Sequence, residues 1–238
     1  MGISGLMNNI FYFKETSTAN QYVIQQWQRI ANQAIAAHGV FRIALSGGSS
    51  PIPLYQVLAE AKNLPWSSTQ LFLVDERFVP HANLDSNYRM IKEQLLDKLT
   101  LSDAQIHSIP IDKTPEKSAL DYENELKENF NLQSDRFPSF DLILLGLGED
   151  GHTASLFTAQ DCTEKKKLVM HTISPKTPHD RISLTLPVLN HAKNIIFFIR
   201  GKNKSQIIER VFQQENADYP ASRVKPVDEK IKIVFSEK

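Results

Sequence analysis

The 238-residue chain carries 27 Lys+Arg against 27 Asp+Glu, with 41% hydrophobic and 23% charged residues. This is an ordinary globular composition, which excludes disorder as the default, and its zero net charge gives no field for nucleic acid or an acidic membrane. An anionic ligand must therefore be held by a local site.

Cys162 is the single cysteine, which excludes an intramolecular disulfide and a Cys-rich metal centre and fits a reducing compartment. The opening MGISGLMNNIFYFK has no basic stretch before its apolar residues, and Leu6 stands where a myristoylation signal needs Ser or Thr. Neither export nor a lipid anchor is expected. The longest apolar runs, such as residues 195–199, fall far short of the roughly 20 residues of a membrane span, so a cytoplasmic protein is expected. With no internal repeat, low-complexity tract or long linker, residues 1–238 read most simply as one domain.

In chain order, Val23, Trp27, Ile30, Ala31 and Ala34 share one face at helical spacing. Phe41–Leu45 is a short apolar run, and Ser46-Gly47-Gly48-Ser49-Ser50-Pro51 leads from it into a helix with Leu54, Val57 and Leu58 on one face. The run 71–74 is followed by Asp75-Glu76-Arg77 and then Asp85-Ser86-Asn87-Tyr88. Thr114-Pro115-Glu116 reads as an N-cap and an N1 proline, opening a helix that carries Leu120, Leu126 and Phe130. Leu142–Leu145, 168–173 and 195–199 are further strand-like runs, and 231–235 is a final one. Lys165-Lys166-Lys167 reads as a solvated turn, 174–180 as a loop, 181–186 as strand-like, and Ile207, Ile208, Val211 and Phe212 as one helical face. Strands apolar on both faces are covered on both faces, so a mostly parallel sheet flanked by helices is expected in an α/β protein.

Ligands of such sheets bind beyond the carboxyl ends of the strands, and three loops there carry unusual residues. Residues 46–50 combine glycines, hydroxyls and a helix N-terminus, which suits a phosphate; a plain strand-to-helix turn reads equally well in outline. The loop lacks the Gly-Lys-Ser/Thr ending of a Walker motif. Asp75, Glu76 and Arg77 read either as functional groups or as the solvated end of a strand.

The third loop lies in LILLGLGEDGHTASLF, residues 142–157, which ends in what reads as the start of a helix. Gly146-x-Gly148-x-x-Gly151 matches a dinucleotide fingerprint in spacing only, because Glu149 and Asp150 would repel a pyrophosphate and no acid ends the next strand. The alternative is a tight turn that presents His152 as a general base with Asp150 orienting its ring. Ser155 lies in no Gly-x-Ser-x-Gly elbow. No His pair has helical metal-ligand spacing, and His171 and His179 have no flanking acidic cluster, so no metal is expected.

ALSGGSSP, VDERFVP with DSNYRM, LILLGLGEDGHTASLF, RISLTLPVLNHAKNIIFFIRGKNKS and YPAS occur in that order between about residue 40 and about residue 224. Together they resemble the 6-phosphogluconolactonase family. The resemblance implies a Rossmann-like α/β core without a nucleotide, related in fold to glucosamine-6-phosphate deaminases and ribose-5-phosphate isomerases. It also implies hydrolysis of a small sugar-phosphate lactone in the pentose phosphate pathway, with no cofactor. Carried over by residue, His152 activates water and Asp150 supports it. Ser46, Gly47, Gly48, Ser49, Ser50, Asp75, Arg77, Gly148, Arg181 and Lys204 surround the substrate, with Lys204 and the loop 46–50 as the phosphate candidates. Arg77 and Arg181 also fit a structural ion pair, and the turn's amides are candidates for the oxyanion.

The chain departs from the family pattern at Ser50, where threonine is frequent, at Thr158, where proline is usual, and in the tail after Ser222. A deaminase or isomerase acting on an amino-sugar phosphate is the nearest rival, but such enzymes continue after Asp-Gly-His into Asn-Glu-Pro, whereas residues 153–158 are TASLFT. A non-catalytic sugar-phosphate sensor would keep the phosphate loop and lose His152.

Overall fold

The chain's alternation of apolar runs and amphipathic stretches produces alternating strands and helices in the computed structural model, which describes residues 9–214, 216–227 and 230–238. The segment around Leu6, read above for targeting signals, lies outside them. An edge strand not singled out above, β1 (Ile10–Phe13), leads into α1 (Thr16–His38). The face of α1 containing Val23, Trp27, Ile30, Ala31 and Ala34 is buried, and the helix stops at Gly39, whose φ of 80° favours a residue without a side chain.

β2 (Phe41–Leu45), α2 (Ile52–Glu60), β3 (Thr69–Leu73), β4 (Asp75–Arg77), α3 (Asn87–Gln94), β5 (Ile106–His107), α4 (Pro115–Asn129) and β6 (Leu142–Leu145) follow. α4 opens as expected, with the Thr114 side chain accepting from the Lys117 amide. Its buried face runs through Ala119, Tyr122 and Leu126, which leaves Leu120 off the stripe and 49% exposed, contrary to expectation. On α2, Leu54 and Leu58 are buried whereas Val57 points outward. The chain closes with β7 (Val169–Ile173), β8 (Asp180–Leu184), α5 (Leu186–Asn190), β9 (Ile195–Arg200), α6 (Ser205–Ile208) continued by a π turn over Glu209–Gln213, and β10 (Ile231–Ser236).

Seven strands form one sheet in the order β1-β10-β9-β6-β2-β3-β5, and every pairing in it is parallel. The expected α/β architecture is therefore the observed one. Strands β2, β3 and β5 progress to one edge and β6, β9 and β10 toward the other, so β2 and β6 flank the point where strand order reverses. A ligand crevice forms beyond the strands at such a point.

The run 168–173, read as a member of that sheet, belongs elsewhere. β7 and β8 pair antiparallel, and β8 pairs antiparallel with β4, making a separate three-stranded sheet. The segment joining β7 to β8 is too short for a parallel crossover, which needs about a dozen residues or more. Asp75-Glu76-Arg77 is a strand of this second sheet rather than the frayed end of the preceding one. The stretch after His152 is not a helix but a series of turns with an isolated bridge between Thr153 and Leu156. No helix of the described residues is long and apolar enough to cross a membrane.

Candidate active site

The loops after β2, β3, β6 and β9, four adjacent strands of the parallel sheet, enclose a cleft of about 440 Å³. Residues 46–50 line one wall. The Ser46 hydroxyl is turned into the sheet, donating to the Leu144 carbonyl at 2.6 Å, and the Ser46 carbonyl accepts from the Tyr55 hydroxyl at 2.7 Å. These bonds fix the start of the loop. Gly48 has a φ of 87°, and no side chain caps the first turn of α2, leaving its amides to the loop side.

Opposite this loop, Asn87 sits so close to Gly47 that a Cβ there would fall 1.8 Å from its Oδ1. Asn87 donates to the Asp75 carbonyl at 2.9 Å and accepts from Arg77 Nη1 at 2.6 Å. Glu76, fully buried, holds this corner together. Its carboxylate accepts from the amides of Arg77, Asn87 and Tyr88 and from the Ser86 hydroxyl, at 2.6–2.9 Å. Burial pushes the Glu76 carboxyl upward and the four donors oppose that shift. Asp75 is also buried and accepts from the Ser155 hydroxyl at 2.6 Å, so Ser155 is committed to structure.

The loop after β6 turns sharply: the Gly148 amide donates to the His152 carbonyl at 2.9 Å and the Gly151 amide to the Gly148 carbonyl at 3.1 Å. These two amides are used within the turn and are not free for an oxyanion. The turn brings His152 Nδ1 to 2.5 Å from Asp150 Oδ1, while Asp150 Oδ2 lies 2.6 Å from Lys176 Nζ on the β7–β8 loop. Burial works against Asp150 ionisation, but Lys176 and then the His152 ring hold its carboxyl well below the usual range. A carboxylate on Nδ1 selects the tautomer with its proton there, leaving Nε2 basic. Gly148 underlies the pair. A Cβ at that position would lie 2.1 Å from His152 Nδ1 and 2.6 Å from Asp150 Oδ1.

The last wall comes from β9 and the turn after it. Lys204 Nζ donates to the Leu147 carbonyl at 3.1 Å and lies 4.0 Å from Glu149, which accepts from Asn203 at 2.6 Å. Burial pushes the Lys204 ammonium down, with Glu149 and Asp150 opposing. Arg200 lines the cleft beside it.

The profile of the family described as glucosamine-6-phosphate isomerases/6-phosphogluconolactonase matches residues 14–233. The chain belongs to this family. It is 42% identical over 204 residues to the 6-phosphogluconolactonase of Synechocystis sp., covering 84% of this chain and 83% of the relative. A 6-phosphogluconolactonase of Nostoc sp. is 39% identical over 82% of each chain. The crystal structure of 6-phosphogluconolactonase from Thermotoga maritima superposes with a TM-score of 0.85 at 28% identity, covering 97% of this chain and 99% of that one.

Of the residues that the family resemblance nominated, Ser46, Gly47, Gly48, Ser49, Ser50, Asp75, Arg77, Gly148, His152 and Lys204 all line the cleft, and Asp150 stands directly behind His152. Arg181 does not line it. Its guanidinium is buried in the β7–β8 loop, donating to the His179 carbonyl at 3.0 Å and the Thr177 hydroxyl at 2.6 Å. Arg77 and Arg181 are register partners on β4 and β8, and among the described residues neither forms a carboxylate ion pair. Asn87, Lys176 and Arg200 were not nominated. Asn87 lay within a quoted motif, and Arg200 was signalled by a cation closing an apolar strand at its carboxyl end. Nothing local marks Lys176, which reaches Asp150 only through the pairing of β7 with β8.

Proposed function

We propose that the chain hydrolyses 6-phospho-D-glucono-1,5-lactone to 6-phospho-D-gluconate in the pentose phosphate pathway, the activity named for its Synechocystis and Nostoc relatives. The observation that carries the reading is the Asp150–His152 pair facing a cleft whose walls are a serine–glycine loop and a half-buried lysine. His152 Nε2 takes a proton from water as the water oxygen attacks the lactone carbonyl carbon. The carbonyl π electrons move onto oxygen, and the tetrahedral species then collapses with cleavage of the bond to the ring oxygen. The imidazolium returns its proton to that oxygen, which leaves as the sugar hydroxyl. Asp150 holds the ring orientation and stabilises the transient positive charge.

Lys204 and the loop 46–50 receive the phosphate in this reading. A compact ammonium and an uncapped helix start suit a dianion. We place the reaction in the cytoplasm, in a single domain that contains both sheets, without metal or nucleotide. The deaminase reading lacks a carboxylate between residues 153 and 158. The test is to generate 6-phosphogluconolactone in situ and follow its loss. Acceleration above spontaneous hydrolysis, abolished in His152→Gln, is expected; no acceleration by the wild-type protein refutes the reading.

A further inference from the structure

The cations around the cleft differ in how far the protein has already used them. Arg77 donates through Nη1 to the Asp85 carbonyl at 2.8 Å and to Asn87 at 2.6 Å. Lys176 is held by Asp150, Arg181 by its own loop, and Lys204 by the Leu147 carbonyl. Among the described residues Arg200 makes a single hydrogen bond, from Nε to Thr16 Oγ1 at 3.1 Å, and no carboxylate pairs with it. It is nevertheless half-buried in the cleft wall. Both terminal nitrogens are free of protein acceptors among the described residues, and neither is among the fully buried unsatisfied atoms, so they are open to an acceptor from the cleft.

The surroundings state what that acceptor is. Arg200 ends β9 and Ser46 follows β2; the strand between them, β6, is followed by Gly146, where an added Cβ would meet open space. The serine–glycine loop and Arg200 thus line the same cleft, on either side of a position without a side chain. Thr16, the first residue of α1, accepts from Nε and donates its own hydroxyl to the Lys238 carbonyl. The remaining guanidinium edge is an immobilised pair of nitrogens, the geometry that binds two oxygens of one phosphate. Reduced side-chain freedom lowers the entropic cost of binding.

We propose that Arg200 is a substrate-binding residue that, with Lys204, grips the phosphate monoester of the substrate, with Thr16 as its positioning residue. This deepens the lactonase reading and rests on it for the identity of the substrate. The alternative role, a tie between β9 and α1, predicts a stability change without a phosphate effect.

The experiment measures inorganic phosphate binding by calorimetry, and KM for the lactone, in wild type, Arg200→Gln, Arg200→Lys and Thr16→Val, each checked for folding by circular dichroism. Arg200→Gln is expected to weaken phosphate binding about tenfold or more and to raise KM for the phosphorylated lactone about 10–100-fold, shrinking its advantage over unphosphorylated gluconolactone. Arg200→Lys should recover part of the affinity, and Thr16→Val should lose about threefold because only the anchor is gone. A folded Arg200→Gln with wild-type phosphate affinity overturns the proposal, as does a wild-type protein that binds no phosphate. Should Arg200→Gln fail to fold, a folded Arg200→Lys with wild-type phosphate affinity overturns it equally. Phosphate affinity is read without turnover, so a failure of the lactonase reading appears separately, as absent hydrolysis with phosphate binding intact.

Discussion

His152 is held by one short bond from its Nδ1 to Asp150, and Asp150 is held in turn by Lys176. This chain orders the effects of substitution. His152→Gln should lower kcat by about 10²–10⁴-fold, the scale of a positioned proton acceptor, with binding of 6-phosphogluconate nearly unchanged. Asp150→Asn should lower kcat by a smaller factor than His152→Gln, because the base remains while the carboxylate that orients its ring is gone. Lys176→Met removes the bond that holds the Asp150 carboxyl down, so the Asp150 titration, followed by NMR, should move to higher pH. Asp150 itself has a depressed folded value, so its stabilising contribution is complete above the ordinary carboxylate range and is lost only as pH falls through the lower folded value. Asp150 therefore stays ionised beside His152 in mild acid. An Asp150→Asn enzyme with wild-type kcat would show the pair to be uncoupled from catalysis.

At the scale of elements, two close approaches hold the site in shape. The turn after β6 places Gly148 where any side chain would push into the His152–Asp150 pair. Gly148→Ala should lower kcat by about tenfold or more through a misplaced ring, with the midpoint of thermal unfolding little changed, because the residue is in a loop beyond the strand. The second is the corner between β4 and the start of α3, where the Glu76 carboxylate satisfies three amides and a hydroxyl. Glu76→Gln replaces one acceptor oxygen by a donor facing donors. A loss of about 1–3 kcal/mol in denaturant unfolding is expected, together with a higher KM, since Asn87 and Arg77 are positioned through this corner. Unaltered unfolding of Glu76→Gln would mean that the corner is held by packing alone.

The whole molecule joins two sheets with different tasks. The parallel sheet supplies the serine–glycine loop, the histidine loop and Lys204 from neighbouring carboxyl ends. The small antiparallel sheet supplies Asp75 and Arg77 from β4 and carries Lys176 on the β7–β8 loop to the back of Asp150. All the groups assigned to the reaction are side chains and backbone amides. Activity is therefore expected to persist after exhaustive chelation; loss with EDTA and recovery with zinc would overturn a metal-free mechanism. Unphosphorylated gluconolactone should be the poorer substrate by kcat/KM, because binding at the phosphate wall is remote from the reacting carbon and can be used in the transition state. Equal kcat/KM for the two lactones would remove the phosphate from the assignment.

The local sequence by itself determined strands β2, β3, β6, β9 and β10 of the parallel sheet, the buried face of α1, the cap of α4 and the three loops that matter, because hydrophobic period, caps and glycines act over a few residues. Asp150 and His152 were legible for the same reason: two residues apart in one turn, they meet whatever surrounds them. Contacts between distant segments were decided only by tertiary structure. The run 168–173 is as apolar as a parallel strand in outline, yet the short return to residue 180 forces it into an antiparallel hairpin with β8. That pairing buries Arg181 in its own loop and delivers Lys176 to Asp150. Arg200 and Thr16 lie 184 positions apart in sequence and meet because β9 and the start of α1 end at the same edge of the fold. No local propensity encodes such a meeting; it follows from the order of the strands, which the packing of the whole chain selects.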